Sequence, residues 1–178
     1  MARPQPRHLR LARESTTERL SFEELFRRWA PYVGGIATRI LGPRADVDDL
    51  VQNVFVDAYR GYGKLRDPDA VRSWLTTITV RRARRYLARQ RFRRLVGLEA
   101  IPEIPDTAIL PERRAQLSAA YRVLNRVKPE ERIAWVLRHV EGETLLDVAR
   151  LCDCSRATAH RRIRAVADAF AKEFGHES

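Results

Sequence analysis

Apolar side chains along this chain recur every three or four residues, which is the pattern of amphipathic helices. The first stripe consists of Phe22, Leu25, Phe26, Trp29, Val33, Ile36 and Ile40. Ser21 and Glu24 have the spacing of a capping box, which predicts the start of a helix at this point. Pro31 predicts a kink or a split within the run, and Gly42-Pro43 predicts its end.

Two further helices are predicted before the middle of the chain. The apolar stripe of the second is formed by Val47, Leu50, Val51, Val54, Phe55, Ala58 and Tyr59. Asp46 or Asp48 is its candidate N-cap, because acidic residues suit the positive end of a helix dipole. Residues 61–71 contain glycines and an Asp-Pro step and predict a loop. The third helix is predicted from Arg72 to about Phe92.

The remaining residues predict a linker and a second helical domain. Residues 95–110 carry two prolines and no helical stripe, whereas helical patterning resumes at Pro111, and Pro129 opens the next helix. No segment alternates as a β-strand does. The chain is therefore predicted to be all-α, with a basic tail (residues 1–18), a first helical domain (19–94), a linker (95–110) and a second domain (111–178).

The last two predicted helices form a candidate helix-turn-helix. Thr144 and Ser155 are their N-caps, and Ala159, Ile163 and Val166 are the predicted buried side of the second helix. Asp153 lies in the turn, where a left-handed conformation is needed that aspartate tolerates. The other faces carry the candidate DNA contacts, which are Arg156, Thr158, His160, Arg161, Arg162 and Arg164. Such a helix can enter the major groove, where arginine contacts guanine or phosphate; a helical hairpin with a solvated basic face is the alternative.

The net charge of +11 indicates a polyanionic partner, and it is unevenly distributed. Residues 1–94 carry 21 basic and 10 acidic side chains, whereas residues 95–178 carry 13 of each, so the helix-turn-helix alone does not explain the excess. Nine arginines and no acidic residue lie between Arg72 and Arg94. These arginines repel one another unless a polyanion neutralises them.

Several functional classes are not supported by the sequence. There is no signal peptide and no apolar run long enough for a membrane span, so a soluble cytoplasmic protein without membrane insertion is expected. Cys152, Cys154, His139 and His160 lack the paired spacing of zinc sites. The two cysteines are instead expected to pack as small apolar residues in the turn of the helix pair. No nucleophile motif or phosphate-binding loop is present. We therefore expect neither catalysis nor a metal or cofactor.

Three segments carry motifs that occur together in one protein family. Residues 48–59, D-D-L-V-Q-N-V-F-V-D-A-Y, are similar to the D-L-V-Q-E-x-F-x-x-A-W segment of bacterial RNA polymerase sigma factors, and S-W-L-T-T-I at 73–78 is similar to T-W-L-x-x-I in the same family. The family's G-x-[ST]-x-x-[ED]-[IV]-A run is matched at Gly142, Thr144, Asp147, Val148 and Ala149. Two domains in this order resemble the extracytoplasmic-function (ECF) group of the sigma-70 family, over about residues 20–94 and 111–172.

The resemblance implies an alternative sigma factor that binds core RNA polymerase and directs promoter-specific initiation. In the family, the acidic helix docks on the clamp coiled coil of the β′ subunit, which implies this role for Asp49, Gln52 and Asn53. Asn53 replaces the family's usual glutamate and removes one charge. The helix after Ser155 is implied to recognise the minus-thirty-five element.

The minus-ten element is implied to be bound by the first domain. In the family, the loop before the third helix captures an unstacked base, and that helix holds the non-template strand. The implied loop residues are Tyr62, Lys64, Arg66 and Asp69, and the implied helix residues are Arg72, Arg81, Arg84 and Arg85. Trp74 is a candidate for base stacking, but its apolar neighbours favour a place in the core. Arg81 and Arg85 replace the asparagine and aspartate of the family's R-N-x-x-x-D-x-x-R run.

Two other functions remain open. A stand-alone helix-turn-helix regulator would bind duplex DNA without polymerase and would leave residues 46–94 without a purpose. A sigma-like decoy would occupy polymerase or an anti-sigma protein without initiating transcription.

Overall fold

The structure is a computed structural model that describes residues 20–42, 46–98 and 111–175, without the side chains of residues 111, 112 and 114. These residues form seven α-helices and a short 3₁₀ helix, with no β-strand among them. The predicted all-α fold class is confirmed. The predicted basic tail (residues 1–18) and residues 99–110 of the predicted linker lie outside the described residues.

Three helices that contact one another form the N-terminal lobe: α1 (Phe22–Leu41), α2 (Val47–Tyr62) and α3 (Val71–Leu95). The predicted capping box is present, because the Ser21 hydroxyl accepts from the Glu24 N–H and the Glu24 carboxylate accepts from the Ser21 N–H. α1 continues through Pro31, so the chain is not split there. α1 ends at Leu41, and Gly42 follows with a φ of 89°.

The predicted loop before α3 is shorter than residues 61–71. α2 extends to Tyr62, and the 3₁₀ helix (Pro68–Ala70) leads directly into α3. The Asp67 carboxylate caps this turn by accepting the Asp69 N–H at 2.9 Å. The Asp-Pro step therefore initiates a helical turn instead of extending the loop.

Four helices form the C-terminal lobe: α4 (Pro111–Arg126), α5 (Pro129–His139), α6 (Leu145–Leu151) and α7 (Arg156–Phe174). The predicted helix starts are confirmed, since Pro129 opens α5 and the hydroxyls of Thr144 and Ser155 cap α6 and α7. Asp153 has the predicted left-handed conformation, with a φ of 51°. α6 and α7 thus form the helix pair expected from the sequence.

α3 is buried on more than one side and joins the two lobes. Its buried residues include Leu75, Thr76, Ile78, Thr79 and Val80, which together span an arc of about 200° at 100° per residue. α3 contacts α1 and α2 of its own lobe and α5 and α6 of the C-terminal lobe. The apolar core is consequently continuous from one lobe to the other.

An ion pair between α2 and α3 predicts a pH-dependent stability. Arg82 Nε donates to Asp57 Oδ2 at 2.6 Å, and this bond lowers the pKa of the Asp57 carboxyl. A lowered folded-state pKa means that the stabilisation is complete above the unfolded value of about 3.9 and is lost as the pH falls through the folded value. Asp57→Asn is therefore expected to lower the free energy of unfolding by about 1 kcal/mol at pH 7, and by less near pH 3.

Urea denaturation of both proteins at the two pH values measures this difference. Glu23→Gln is the control, because the Glu23–Arg27 pair is exposed and is expected to contribute little at either pH. An equal loss of stability at pH 7 and pH 3 for Asp57→Asn would show that the carboxylate charge is not what stabilises the pair.

Candidate polymerase and nucleic-acid interfaces

The three residues implied for polymerase binding share an exposed part of α2. Asp49, Gln52 and Asn53 are exposed, while the opposite side of the helix is buried through Leu50 and Val54. The Asn53 side-chain amide donates to the backbone carbonyl of Asp49 at 2.7 Å. Its side chain therefore lies along the helix with one donor already used.

An apolar patch lies beside Gln52, and it was not predicted from the sequence. We call it the apolar docking patch; it consists of Phe22, Phe26, Phe55, Val56 and Tyr59 around an open cavity of about 430 Å³. Val56 is 45% exposed and Tyr59 is 69% exposed, although Tyr59 was expected in the buried stripe of α2. Phe26, Val56 and Tyr59 are the exposed members of the patch, and exposed apolar residues that cluster beside polar ones are typical of a protein-binding surface. Phe26 and Tyr59 would have been found only by knowing how α1 and α2 pack.

The predicted minus-ten loop is exposed except at Tyr62. Lys64, Arg66 and Asp69 are exposed. Tyr62 is half-buried, its hydroxyl donates to the Leu20 carbonyl at 2.8 Å, and its ring stacks near Trp74 with centroids 6.3 Å apart. Trp74 is itself half-buried against the core. Both aromatic residues therefore pack between the loop and the core of the N-terminal lobe.

The arginines implied for the minus-ten strand do not form a single ridge. Arg81 and Arg84 line a cavity of about 260 Å³ between the two lobes. Arg85 lines a different cavity, together with Asp49 and Asn53. Arg72 lies about 180° around α3 from Arg81 at 100° per residue. Arg81, Arg84 and Arg85 thus lie within an arc of about 100° on one side of α3, and Arg72 lies on the opposite side.

Arg72 forms an ion pair with a residue of the C-terminal lobe. Its Nη2 atom lies 3.4 Å from Glu143 Oε1, and its guanidinium lies 5.4 Å from the ring centroid of Tyr32. A second cavity at this position, of about 330 Å³, is lined by residues of both lobes, Asp69 and Asp147 among them. Three of the four arginines predicted on α3, Arg72, Arg81 and Arg84, thus lie beside the boundary between the lobes and remain exposed.

The candidate major-groove residues of α7 divide into two groups. Arg156, His160, Arg161 and Arg164 are exposed, and they span an arc of about 140° at 100° per residue. Thr158 is half-buried, and its N–H donates to the capping Ser155 hydroxyl. Arg162 is half-buried and lines the cavity that contains Arg81 and Arg84. The exposed set therefore has four members, whereas the sequence implied six.

The cysteines have the environment of packing residues. Cys152 is buried, and burial raises the pKa of its thiol to about 12. The thiol is therefore protonated at neutral pH, as is typical of a cysteine that packs in an apolar core. Within residues 20–42, 46–98 and 111–175, no group of three or more His, Cys, Asp and Glu side chains is arranged to hold a metal ion. None of the helices in those ranges has the length and apolarity of a membrane span.

Comparisons with known proteins identify related sequences and folds. The sigma-70 region 2 family profile matches residues 25–93. The ECF RNA polymerase sigma factor SigM of Mycobacterium tuberculosis is 30% identical over 155 residues, which cover 85% of this chain and 76% of SigM. The ECF RNA polymerase sigma-E factor of Escherichia coli is 29% identical, over 80% of this chain and 81% of that protein.

Two solved structures have a similar fold. The sigma factor RpoE in complex with the anti-sigma factor NepR from Bartonella quintana has a TM-score of 0.61 at 19% identity, over 88% of this chain and 98% of that chain. CnrH in complex with the cytosolic domain of CnrY has a TM-score of 0.58 at 24% identity, over 88% and 89% of the two chains.

Proposed function

Because this chain belongs to the ECF RNA polymerase sigma factors, we propose which of its surfaces bind core polymerase and which bind promoter DNA. As a member of that family, the protein associates with core RNA polymerase and acts in transcription initiation. The α2 face with Asp49, Gln52 and Asn53, extended by the apolar docking patch, binds core polymerase. The outward face of α7 binds the minus-thirty-five duplex.

The loop before α3 and the arginines of α3 bind the minus-ten strand. In this proposal residues 19–94 are the region-2-like domain and residues 111–178 are the region-4-like domain. The observation that carries it is the separation of two exposed surfaces, an apolar and acidic one on α2 and a basic one on α7. One surface suits a protein partner and the other suits a polyanion, and they lie on different lobes.

In this proposal the protein catalyses no reaction itself and needs no cofactor. It gives sequence specificity to the chemistry of the polymerase, and it acts in the cytoplasm, where that enzyme is found. Arginine contacts with phosphates release counterions, so its binding to DNA falls steeply as salt concentration rises.

Transcription from genomic DNA fragments by core polymerase, with and without this protein, tests the proposal. New transcript starts that appear only when the protein is present are the expected result. Duplex binding without core polymerase and without new starts would favour a stand-alone regulator. Binding to core polymerase without new starts would favour a decoy, and either outcome would overturn the proposal.

An anti-sigma protein is a further proposed partner. The two similar solved structures are both complexes with a second protein, which for RpoE is the anti-sigma factor NepR and for CnrH is the cytosolic domain of CnrY. A protein of this kind is expected to abolish the new starts when it is added before core polymerase.

A further inference from the structure

One cavity beside α3 is lined by arginines from three helices. Arg81 and Arg84 come from α3, Arg150 from α6 and Arg162 from α7, around a volume of about 260 Å³. Within residues 20–42, 46–98 and 111–175, no hydrogen bond or ion pair involves Arg81, Arg84 or Arg162. Three guanidiniums therefore line this cavity without a carboxylate in contact with any of them.

The arginines of α3 and α7 approach the same point, the buried Cys152. Burial raises the pKa of the Cys152 thiol to about 12, whereas the positive charges of Arg162 and Arg84 both act to lower it. Such an effect requires that both guanidiniums lie near the sulfur atom. Glu130 and Asp153 also line the cavity, so its four arginines exceed its carboxylates by two charges. The cavity is therefore suited to a small anion.

Much of the remaining lining is apolar and buried. Val80, Ile133, Leu151 and Cys152 line the cavity, and each is at most 7% exposed. An apolar floor beside a few convergent polar groups is the usual composition of a small-molecule site. The floor can cover a flat apolar ring, and the planar guanidinium is the group that binds phosphate oxygens in pairs.

A second cavity, of about 330 Å³, adjoins the first. The residues that line both are Thr77, Arg150 and Leu151. The carboxylates in the lining of the second cavity are those of Asp69, Glu143 and Asp147. Phosphates are therefore favoured in the first cavity only, whereas hydroxyl and amino groups, which donate hydrogen bonds, suit the second. Together the two cavities reach the size of typical ligand pockets, which is about 300–1,000 Å³.

We propose that these adjoining cavities form a site for a nucleoside polyphosphate. Its phosphates bind Arg81, Arg84 and Arg162, and its base packs on the apolar floor of the first cavity. Its ribose hydroxyls, or an amino group of its base, donate to the carboxylates of the second cavity. A nucleotide combines these three kinds of group in one small molecule, as the lining of the two cavities requires.

A bound nucleotide would also affect DNA binding by the free chain. Arg81 and Arg84 are two of the arginines proposed to bind the minus-ten strand, so the nucleotide and the strand compete for them. This consequence rests on the proposed function, whereas the nucleotide site itself does not.

Isothermal titration calorimetry of the full chain with ATP, inorganic triphosphate and adenosine tests the site. We expect one ATP to bind per chain, at least about 10-fold more tightly than inorganic triphosphate, because triphosphate has no base to cover the apolar floor. Adenosine is expected to bind at least about 10-fold more weakly than ATP, because it has no phosphates for the arginines. An excess of a single-stranded DNA 12-mer is expected to weaken ATP binding.

Single arginine variants locate the site. Arg162→Gln and Arg84→Gln are each expected to raise the Kd for ATP about 10-fold, through loss of a charge-assisted hydrogen bond. Arg122→Gln is the matched control, because it removes the same charge from an exposed position of α4 outside both cavities, and it is expected to bind ATP as the unmodified chain does. Circular dichroism verifies that each variant is folded. Arg84 is exposed, so its variant decides the question if the half-buried Arg162 is needed for folding.

Absence of ATP binding would overturn the site, and so would an equal loss of affinity in Arg122→Gln and Arg84→Gln, since net charge would then explain the binding. Equal affinities for ATP and inorganic triphosphate would overturn the nucleotide as the ligand. ATP binding that excess 12-mer does not weaken would overturn the competition with the strand but not the site. New transcript starts in the polymerase assay depend on none of these results, so failure of the nucleotide site and failure of the proposed function are distinguishable.

Discussion

Replacement of Val56 by aspartate is expected to weaken binding to core RNA polymerase by about 100-fold or more and to remove the transcript starts that depend on this chain. Val56 belongs to the apolar docking patch and is 45% exposed, so the N-terminal lobe does not need it for its own core. In the complex an aspartate at this position would be desolvated without a partner, which costs several kcal/mol. Binding of the variant to immobilised core polymerase measures the effect.

Val96→Asp is the matched control for this prediction. Val96 is 49% exposed and follows the last turn of α3, outside the apolar docking patch, so the substitution changes the same residue type and the same charge. It is expected to bind core polymerase as the unmodified chain does. If Val56→Asp also binds normally, polymerase docks on another surface and the assignment of α2 fails.

Local chemistry made the helix starts predictable. Ser21, Thr144 and Ser155 cap their helices through hydrogen bonds to the N–H group three residues later, and Pro129 opens α5. Such signals are complete within a few residues of sequence. For the same reason, the left-handed turn at Asp153 could be expected from the sequence alone.

The faces of α3 and α7 could not be predicted in the same way. Helical periodicity identifies which residues share a side, but it does not say which part of the chain covers that side. Arg39 and Glu141 are 102 residues apart, and Arg72 and Glu143 are 71 residues apart. Contacts of this range decide that Arg72 and Arg162 lie at the boundary, whereas Arg156 and Arg164 remain on the surface.

Tyr59 is a residue for which helical periodicity predicted burial but the structure shows exposure. Its position in the apolar stripe of α2 predicts burial, but α1 covers only part of that stripe, and Tyr59 remains 69% exposed beside Phe22 at 5.0 Å between ring centroids. The apolar docking patch results from this packing of α1 and α2, and it is the feature of the candidate site that the sequence indicated least. Gln52, which lines the same cavity, was already indicated by the resemblance.

Replacement of both Arg81 and Arg84 by glutamine is expected to reduce binding of the minus-ten strand by about 100-fold, since each charge-assisted hydrogen bond contributes about 1.5 kcal/mol or more. Both side chains are exposed at the edge of the boundary cavity, and none of the ion pairs described above involves them. Loss of two phosphate contacts should also lower the slope of log K against log salt by about 1.4.

The measurement uses the complex with core polymerase and follows binding of a labelled single-stranded minus-ten oligonucleotide across a salt series. Arg161→Gln/Arg164→Gln removes the same charge from the outward face of α7 and is expected to weaken duplex binding while it leaves strand binding intact. If the two variants weaken strand binding equally, net charge alone explains the affinity. In that case the strand is not held on α3, and the proposal that α3 binds the strand while α7 binds the duplex is wrong.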